Sequence, residues 1–309
     1  MASQSIYDFM GKRKLAMILS ALLIIISIAS LIFRGLELGI DFTGGTLVEI
    51  GYPGSVDPQI IRNQLVAGGF DDASVQHFGT AKDILIRLPS KEGRVSAELS
   101  NRIMEVVRSG DGAAAQLRRI EFVGPQVGEE LRENGGLAML YAIFGILLYV
   151  AWRFEYRFSL GAVAALIHDV IITLGFFSVF ALEFNLSVLA AILAVIGYSL
   201  NDTIVVFDRI RENFLRMRKG EPIEVMNVSL NQTLTRTVIT SLTTLLVLIA
   251  LVLMGGEIIH NFAIALIVGV LIGTYSSIYV ASPVVLALGV SKEDLMPPEK
   301  EGEDFEEWV

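Results

Sequence analysis

The chain has 309 residues, of which 53% are hydrophobic and 18% charged, and its mean hydropathy is +0.61; a soluble domain carries closer to ~25% charge, so a bilayer is the expected solvent. It contains no cysteine, which excludes disulfides, thiolate metal sites and a cysteine nucleophile. The formal net charge of −9 is unevenly placed: residues 292–309 hold eight acidic side chains against two lysines, while the short loops are basic.

A helix needs about 20 apolar residues to cross the hydrocarbon core. The first such stretch, 15–33, follows Lys12, Arg13 and Lys14. Its length and the absence of a small-residue cleavage site after it predict a retained anchor rather than a cleaved leader. Residues 34–134 are far more polar. The alternation over 46–52 predicts a strand. Asp57 can cap a helix that Pro58 opens and Gly68-Gly69 stop. Residues 73–78 and 83–88 read as a hairpin around Gly79-Thr80, 94–108 as a second helix, and 117–123 as a last strand. This order, βαββαβ, predicts a small ferredoxin-like α+β domain. Five further spans are expected at 135–152, 159–180, 186–207, 237–254 and 261–288, giving an α-helical polytopic membrane protein with six transmembrane helices.

Lys and Arg in short loops set the orientation. Arg153 and Arg157 lie between the second and third spans, and Arg209, Arg211, Arg216, Arg218, Lys219 and Arg236 fall in the loop 208–236. The two remaining short loops have no basic residue. Residues 1–14, both basic loops and the acidic tail 289–309 are therefore expected in the cytoplasm, with the α+β domain outside. The tail is expected to be disordered. Within 208–219, Ile210, Phe214 and Met217 share a helical face, which predicts an amphipathic helix at the cytoplasmic surface, facing lipid or a translocon.

An ionisable side chain in a span costs roughly 2.5–3.5 kcal/mol and is a functional candidate by default. Asp169 falls near the middle of the third span and Asp202 in the cytoplasmic half of the fourth. Arg236 opens the fifth span and reaches the depth of Asp202 if its helix begins a turn or two earlier, near Ser229. Arginine stays protonated, so it can modulate a carboxylate without titrating itself. A structural ion pair is the plain alternative. For His168 and Asp169 an interhelical polar contact is expected. Thr240, Ser241, Thr243 and Thr244 read as glue between helices. Small residues recur every four positions at Gly269, Gly273, Ser277 and Ala281, and again at Gly161, Ala165, Asp169 and Thr173. Both stripes fit packing within the chain or a seam to a partner.

Three stretches carry a resemblance. They are Gly39-Ile40-Asp41-Phe42-Thr43-Gly44-Gly45-Thr46 after the first span, Val123-Gly124-Pro125-Gln126-Val127-Gly128 before the second, and residues 197–214, beginning Gly197-Tyr198-Ser199-Leu200-Asn201-Asp202. Gly44-Gly45 permits a tight turn and is no nucleotide site, because a strand follows and no P-loop lysine is present. Together with the span plan, these stretches resemble the SecD/SecF family of protein-export membrane proteins, in the resistance-nodulation-division superfamily. The resemblance implies a subunit of the bacterial inner membrane that acts with SecD. It uses the proton-motive force to pull unfolded polypeptide from the SecYEG translocon, with YidC and YajC as further partners. It matches Asp202 and Arg236 to the family's proton-transport pair, with Asp169 second. Gly39, Asp41, Gly44, Gly45, Gly124, Pro125, Gly197 and Asn201 are the motif positions.

His77, His168 and His260 do not pair at metal-ligand spacing, and no cofactor, metal or nucleic-acid partner is expected. The alternative function is half of a small-molecule/proton antiporter of the same superfamily, although such chains usually carry two large external domains. A membrane enzyme lacks a nucleophile and base at motif spacing.

Overall fold

The structure is a computed structural model that describes residues 7–89, 96–109, 115–153, 155–217 and 220–291. The acidic tail 292–309 and Arg218-Lys219 of the basic loop lie outside the described residues.

A 3-10 turn at Met10–Lys12 leads into α1 (Arg13–Phe33). The chain then forms β1 (Glu37–Leu38) and a single turn, α2 (Ile40–Thr43), before entering the α+β domain. That domain comprises β2 (Gly45–Gly51), α3 (Pro58–Ala67), β3 (Ser74–Phe78), β4 (Thr80–Leu88), α4 (Ser96–Ser109) and β5 (Gln116–Val123). Asp57 accepts a hydrogen bond from the Gln59 N–H at 2.9 Å, and Pro58 takes the first helical position, where no N–H is needed.

The sheet order is β3-β4-β2-β5 with every pair antiparallel. This is the ferredoxin-like arrangement that the element order predicts. One face packs under α3 and α4 around Val48, Ile50, Ile61, Leu65, Ile84 and Ile103. Leu47 and Leu85, on the other face, join Ile40 of α2.

The bundle continues with α5 (Pro125–Arg153), α6 (Tyr156–Val179), β6 (Glu183–Phe184), α7 (Leu186–Arg216) and α8 (Pro222–Met254). The last span is α9 (Glu257–Ser276), which passes through a π turn at Ser277–Ala281 into α10 (Ser282–Ala287). Among the described residues, six helical spans are long and apolar enough to cross a membrane. α6 and α7 are the most buried, whereas α1, α5 and α8 expose Ile18, Phe144, Leu246 and similar side chains, as hydrocarbon-facing helices do.

Two features go beyond the sequence reading. β1 pairs with β6 in parallel, tying the segment after α1 to the α6–α7 connection. The stretch 208–216 continues α7 and is no separate surface helix. This corrects the amphipathic-helix expectation. Ile210 and Phe214 are buried against Val225, Met226 and Leu230 of α8, and Asn213 donates to Ser229 Oγ at 2.8 Å. The apolar face is thus covered by the chain's own helical hairpin, where neither lipid nor a partner is needed.

The small-residue stripes pack inside the chain. A Cβ on Gly273 would lie 2.9 Å from Ser199 Cβ, and one on Gly269 would collide with Val195 of α7. On α6, a Cβ at Gly161 would meet Val285 Cγ2 at 2.7 Å. Of the hydroxyls on the fifth span, Ser241 bridges helices, reaching Thr274 Oγ1 at 2.7 Å. Thr240, Thr243 and Thr244 donate back to carbonyls of their own helix, so they are not the glue expected of them.

Candidate functional site

Both α7 and α8 extend well past the apolar stretches that reveal them. Asp202 lies 14 residues before the last residue of α7, and Arg236 lies 14 residues after the first residue of α8. At 1.5 Å per residue each sits about 21 Å from the α7–α8 connection. The two side chains therefore share a depth, through an earlier helix start than Ser229. Their exposure differs, although the Arg236 guanidinium is close enough to act electrostatically on the Asp202 carboxylate. Asp202 is buried at 3% exposure, while Arg236 is exposed, between the buried Thr233 and Thr237. The two form no salt bridge among the described residues, and Asp202 Oδ2 is buried without a hydrogen-bond partner. A static ion pair is thus absent. What remains is a buried carboxylate oxygen with spare capacity and a guanidinium at matching depth.

Asp169 has the opposite environment. Its Oδ2 accepts from Ser199 Oγ of α7 at 2.5 Å and from Ser276 Oγ of α9 at 2.8 Å. Its Oδ1 lies 2.8 Å from His168 Nδ1. His168 Nε2 is 3.2 Å from Ser20 Oγ of α1, and Ser20 Oγ is 3.0 Å from Tyr275 Oη, whose ring stacks on the imidazole at 6.1 Å. Four spans meet at this cluster. The interhelical contact expected of His168 and Asp169 is present. Sequence reasoning missed Ser20, Ser199, Tyr275 and Ser276, whose signal was hydroxyls on otherwise apolar spans.

The motif glycines assemble a junction at the domain end of the bundle. Gly39 N–H donates to Phe184 O at 2.9 Å, and Asp41 Oδ2 accepts from the Leu186 N–H at the start of α7, also at 2.9 Å. Gly44 and Gly45 have φ of 68° and 137°, a region that favours glycine. A Cβ on Gly44 would lie 2.8 Å from Pro125 Cα, and one on Gly128 would lie 2.7 Å from Gly44 N. The first two motifs are therefore one packed unit, with Gly124 and Pro125 at the entrance to α5. Gly197 and Asn201, four residues apart, lie on an exposed face of α7.

Beside this unit, Arg87 of β4 pairs with Glu183 of β6 at 2.5 Å, linking domain to bundle. Burial pushes the Glu183 carboxyl above its ordinary value, and the neighbouring guanidinium only partly offsets that. A cavity of about 450 Å³ opens next to the pair, between the sheet residues Leu47, Phe78 and Leu85 and the bundle residues Glu183, Asn185 and Asn261. The sequence reading did not single out Arg87 or Glu183.

Six spans, a ferredoxin-like domain inserted after the first of them, and buried carboxylates in the bundle define a multi-pass membrane protein. Residues 29–52 match the SecD/SecF GG motif, and residues 103–291 match the C-terminal region of the protein export membrane proteins SecD/SecF. The chain belongs to the SecD/SecF family.

It is 54% identical over 301 residues to the protein translocase subunit SecF of Vibrio alginolyticus, covering 97% of this chain and 96% of that one. Identity to the protein of the same name from Pseudomonas aeruginosa is 50% over 293 residues, covering 94% of each chain. Among solved structures it resembles SecDF, a translocon-associated membrane protein from Thermus thermophilus, at 38% identity and a TM-score of 0.84. SecDF in a super-membrane-facing form gives 39% identity and 0.69. Each match covers 93% of this chain but 39% of the SecDF chain, so this chain spans well under half of that longer protein.

Proposed function

We propose that this chain acts as the SecF-type subunit of a bacterial Sec protein-export machinery, in partnership with SecD. It sits in the inner membrane with both termini in the cytoplasm and the α+β domain outside. With SecD it uses the proton-motive force to drive the late translocation of unfolded polypeptides emerging from SecYEG, and YidC and YajC belong to the same assembly. The role is transport rather than catalysis. Asp202 is the proton carrier, Arg236 is its switchable partner, and Asp169 is the second carboxylate of the bundle.

The observation that carries this reading is the exposure of Arg236 and Asn201 on the outside of the bundle. Arg236 is exposed on α8 and Asn201 on α7, and close to Arg236 the outer face of α8 presents Val238, Ile239 and Leu242. A cation facing hydrocarbon is costly, so a second bundle that covers these positions is the natural complement. The SecDF structures, in which the equivalent of this chain is the smaller part of one polypeptide, support SecD as that bundle. The unpartnered Oδ2 of Asp202 supports the proton step, because a carboxylate that exchanges a proton cannot be fully committed to fixed donors.

The test is expression in a bacterium depleted of its own SecF. The expected result is co-purification with SecD and restored export of periplasmic proteins. Recovery as a lone chain, without restored export, would overturn the proposal.

A further inference from the structure

The hydrogen bonds around His168 have a fixed direction, and that direction demands a proton. Tyr275 Oη has one hydrogen, and at 2.7 Å it donates it to the carbonyl of Ala16, which can only accept. Ser20 must then donate its own hydrogen to Tyr275 Oη, at 3.0 Å. With that hydrogen committed, Ser20 Oγ can only accept from His168, at 3.2 Å, so Nε2 carries a hydrogen. A neutral imidazole protonated on Nε2 has a bare lone pair on Nδ1. That lone pair faces Asp169 Oδ1 at 2.8 Å, with His168 2% and Asp169 1% exposed. If Asp169 were ionised at the same time, two lone pairs would oppose each other in a buried site, an arrangement that low dielectric makes costly. Oδ2 accepts from Ser199 Oγ at 2.5 Å and from Ser276 Oγ at 2.8 Å, the shorter of that hydroxyl's two contacts, the other being Gly273 O at 3.1 Å, so the missing hydrogen belongs on the Nδ1–Oδ1 line.

The geometry points to His168 and Asp169 as a second proton-holding site in the bundle, in which one proton is shared between Nδ1 and Oδ1. It is either an imidazolium–carboxylate pair or a neutral imidazole beside a carboxylic acid. The two forms differ only in where that proton rests, and both leave the pair electrically neutral. The site is separate from Asp202, to which no hydrogen bond connects it among the described residues.

Its position gives the proton a mechanical role. Ser199 lies three residues before Asp202 on α7, and Ser276 immediately precedes the π turn of the last span. π turns interrupt regular helix hydrogen bonding and recur at functional sites. Withdrawing the shared proton would oppose the two lone pairs and break the contact between His168 and Asp169, leaving the carboxylate held only by Ser199 of α7 and Ser276 of α9. The proposed proton-driven function concerns what this proton does during export; its presence in the resting protein is measurable whether or not that function holds.

The experiment is nitrogen-15 NMR of the full chain, labelled at histidine and embedded in lipid nanodiscs. His77, His168 and His260 are the only histidines, so His77→Gln and His260→Gln, both outside the cluster, assign the third signal by subtraction. The expected result is a protonated Nε2 on His168, as an imidazolium or as the Nε2–H tautomer. In the second case an infrared carboxylic-acid carbonyl band should be present and absent from Asp169→Asn. A neutral Nδ1–H tautomer with bare Nε2, or an Nε2–H tautomer without that band, would overturn the proposal.

Discussion

Asp41 Oδ2 accepts the backbone N–H of Leu186 at 2.9 Å, so the Gly-Gly segment after the first span holds the start of α7, the helix that carries Asp202. A carboxylate at a helix N-terminus satisfies an orphan donor and meets the positive end of the helix dipole. Asp41→Ala should destabilise the folded chain by about 1 kcal/mol, the usual cost of losing such a cap. Asp41→Asn keeps an acceptor and should cost less. Thermal unfolding in nanodiscs reads both values, and equal stability of wild type and Asp41→Ala would contradict the capping role.

The motif glycines should divide by environment. At Gly45, φ is 137° and a Cβ would lie 2.5 Å from Leu88 O. Gly45→Ala should therefore cost roughly 1–3 kcal/mol in backbone strain, with the clash in addition. Gly197 has open space around the same position. Gly197→Ala should leave the isolated chain unchanged or raise its stability by up to ~1 kcal/mol, because alanine is the better helix former. Chemical denaturation of the two variants side by side is the check.

The spans and the domain were legible because their signals are local. Runs of apolar residues mark bilayer helices, and the alternation over β2 with Asp57-Pro58 at α3 marks the domain. Long-range pairings were not. Nothing in Glu37–Leu38 announces a parallel partner at Glu183–Phe184, since two-residue strands carry no periodicity. The extension of α7 to Arg216 was hidden by its charges, which end the hydropathy signal while the helix continues with Ile210 and Phe214 turned inward. Asp202 and Arg236 were found from the cost of charge in a span together with the family motif, and they match in depth, but the exposure of Arg236 depends on helix rotation, which sequence does not fix. Asp169 was found, and its serine donors were not, because hydroxyls on apolar helices are common and become a site only when four helices converge.

Glu183 should make stability depend on pH in an unusual direction. Its carboxyl is held above the ordinary value of 4.5 by burial, against the pull of Arg87. The folded chain thus binds this proton more tightly than the unfolded chain. The resulting stability is fully present below 4.5 and is lost as pH rises through the folded value. Relative to Glu183→Gln, which has no proton to bind, the wild type should gain melting temperature as the solution is acidified from neutrality. A constant difference between the two proteins across that range would contradict the assignment.

Arg236 makes no salt bridge to Asp202 in this state among the described residues. Arg236→Lys should therefore change resting stability by no more than about 0.5 kcal/mol, as for a surface substitution. If the guanidinium engages the carboxylate during the export cycle, lysine cannot reproduce its two-pronged geometry, and gradient-stimulated export should fall. Paired measurement of melting temperature and export in inverted vesicles separates the two effects.

The most direct test of the proposed mechanism is Asp202→Asn, assayed as export into inverted membrane vesicles with and without a proton gradient and normalised to folded complex. Asparagine keeps the shape of the side chain but cannot carry a proton, and Asp202 Oδ2 has no hydrogen-bond donor to lose. The variant should fold, should bind SecD, and should export at the same rate whether the gradient is present or collapsed. A wild-type response to the gradient would contradict the account and move the proton to the pair of His168 and Asp169.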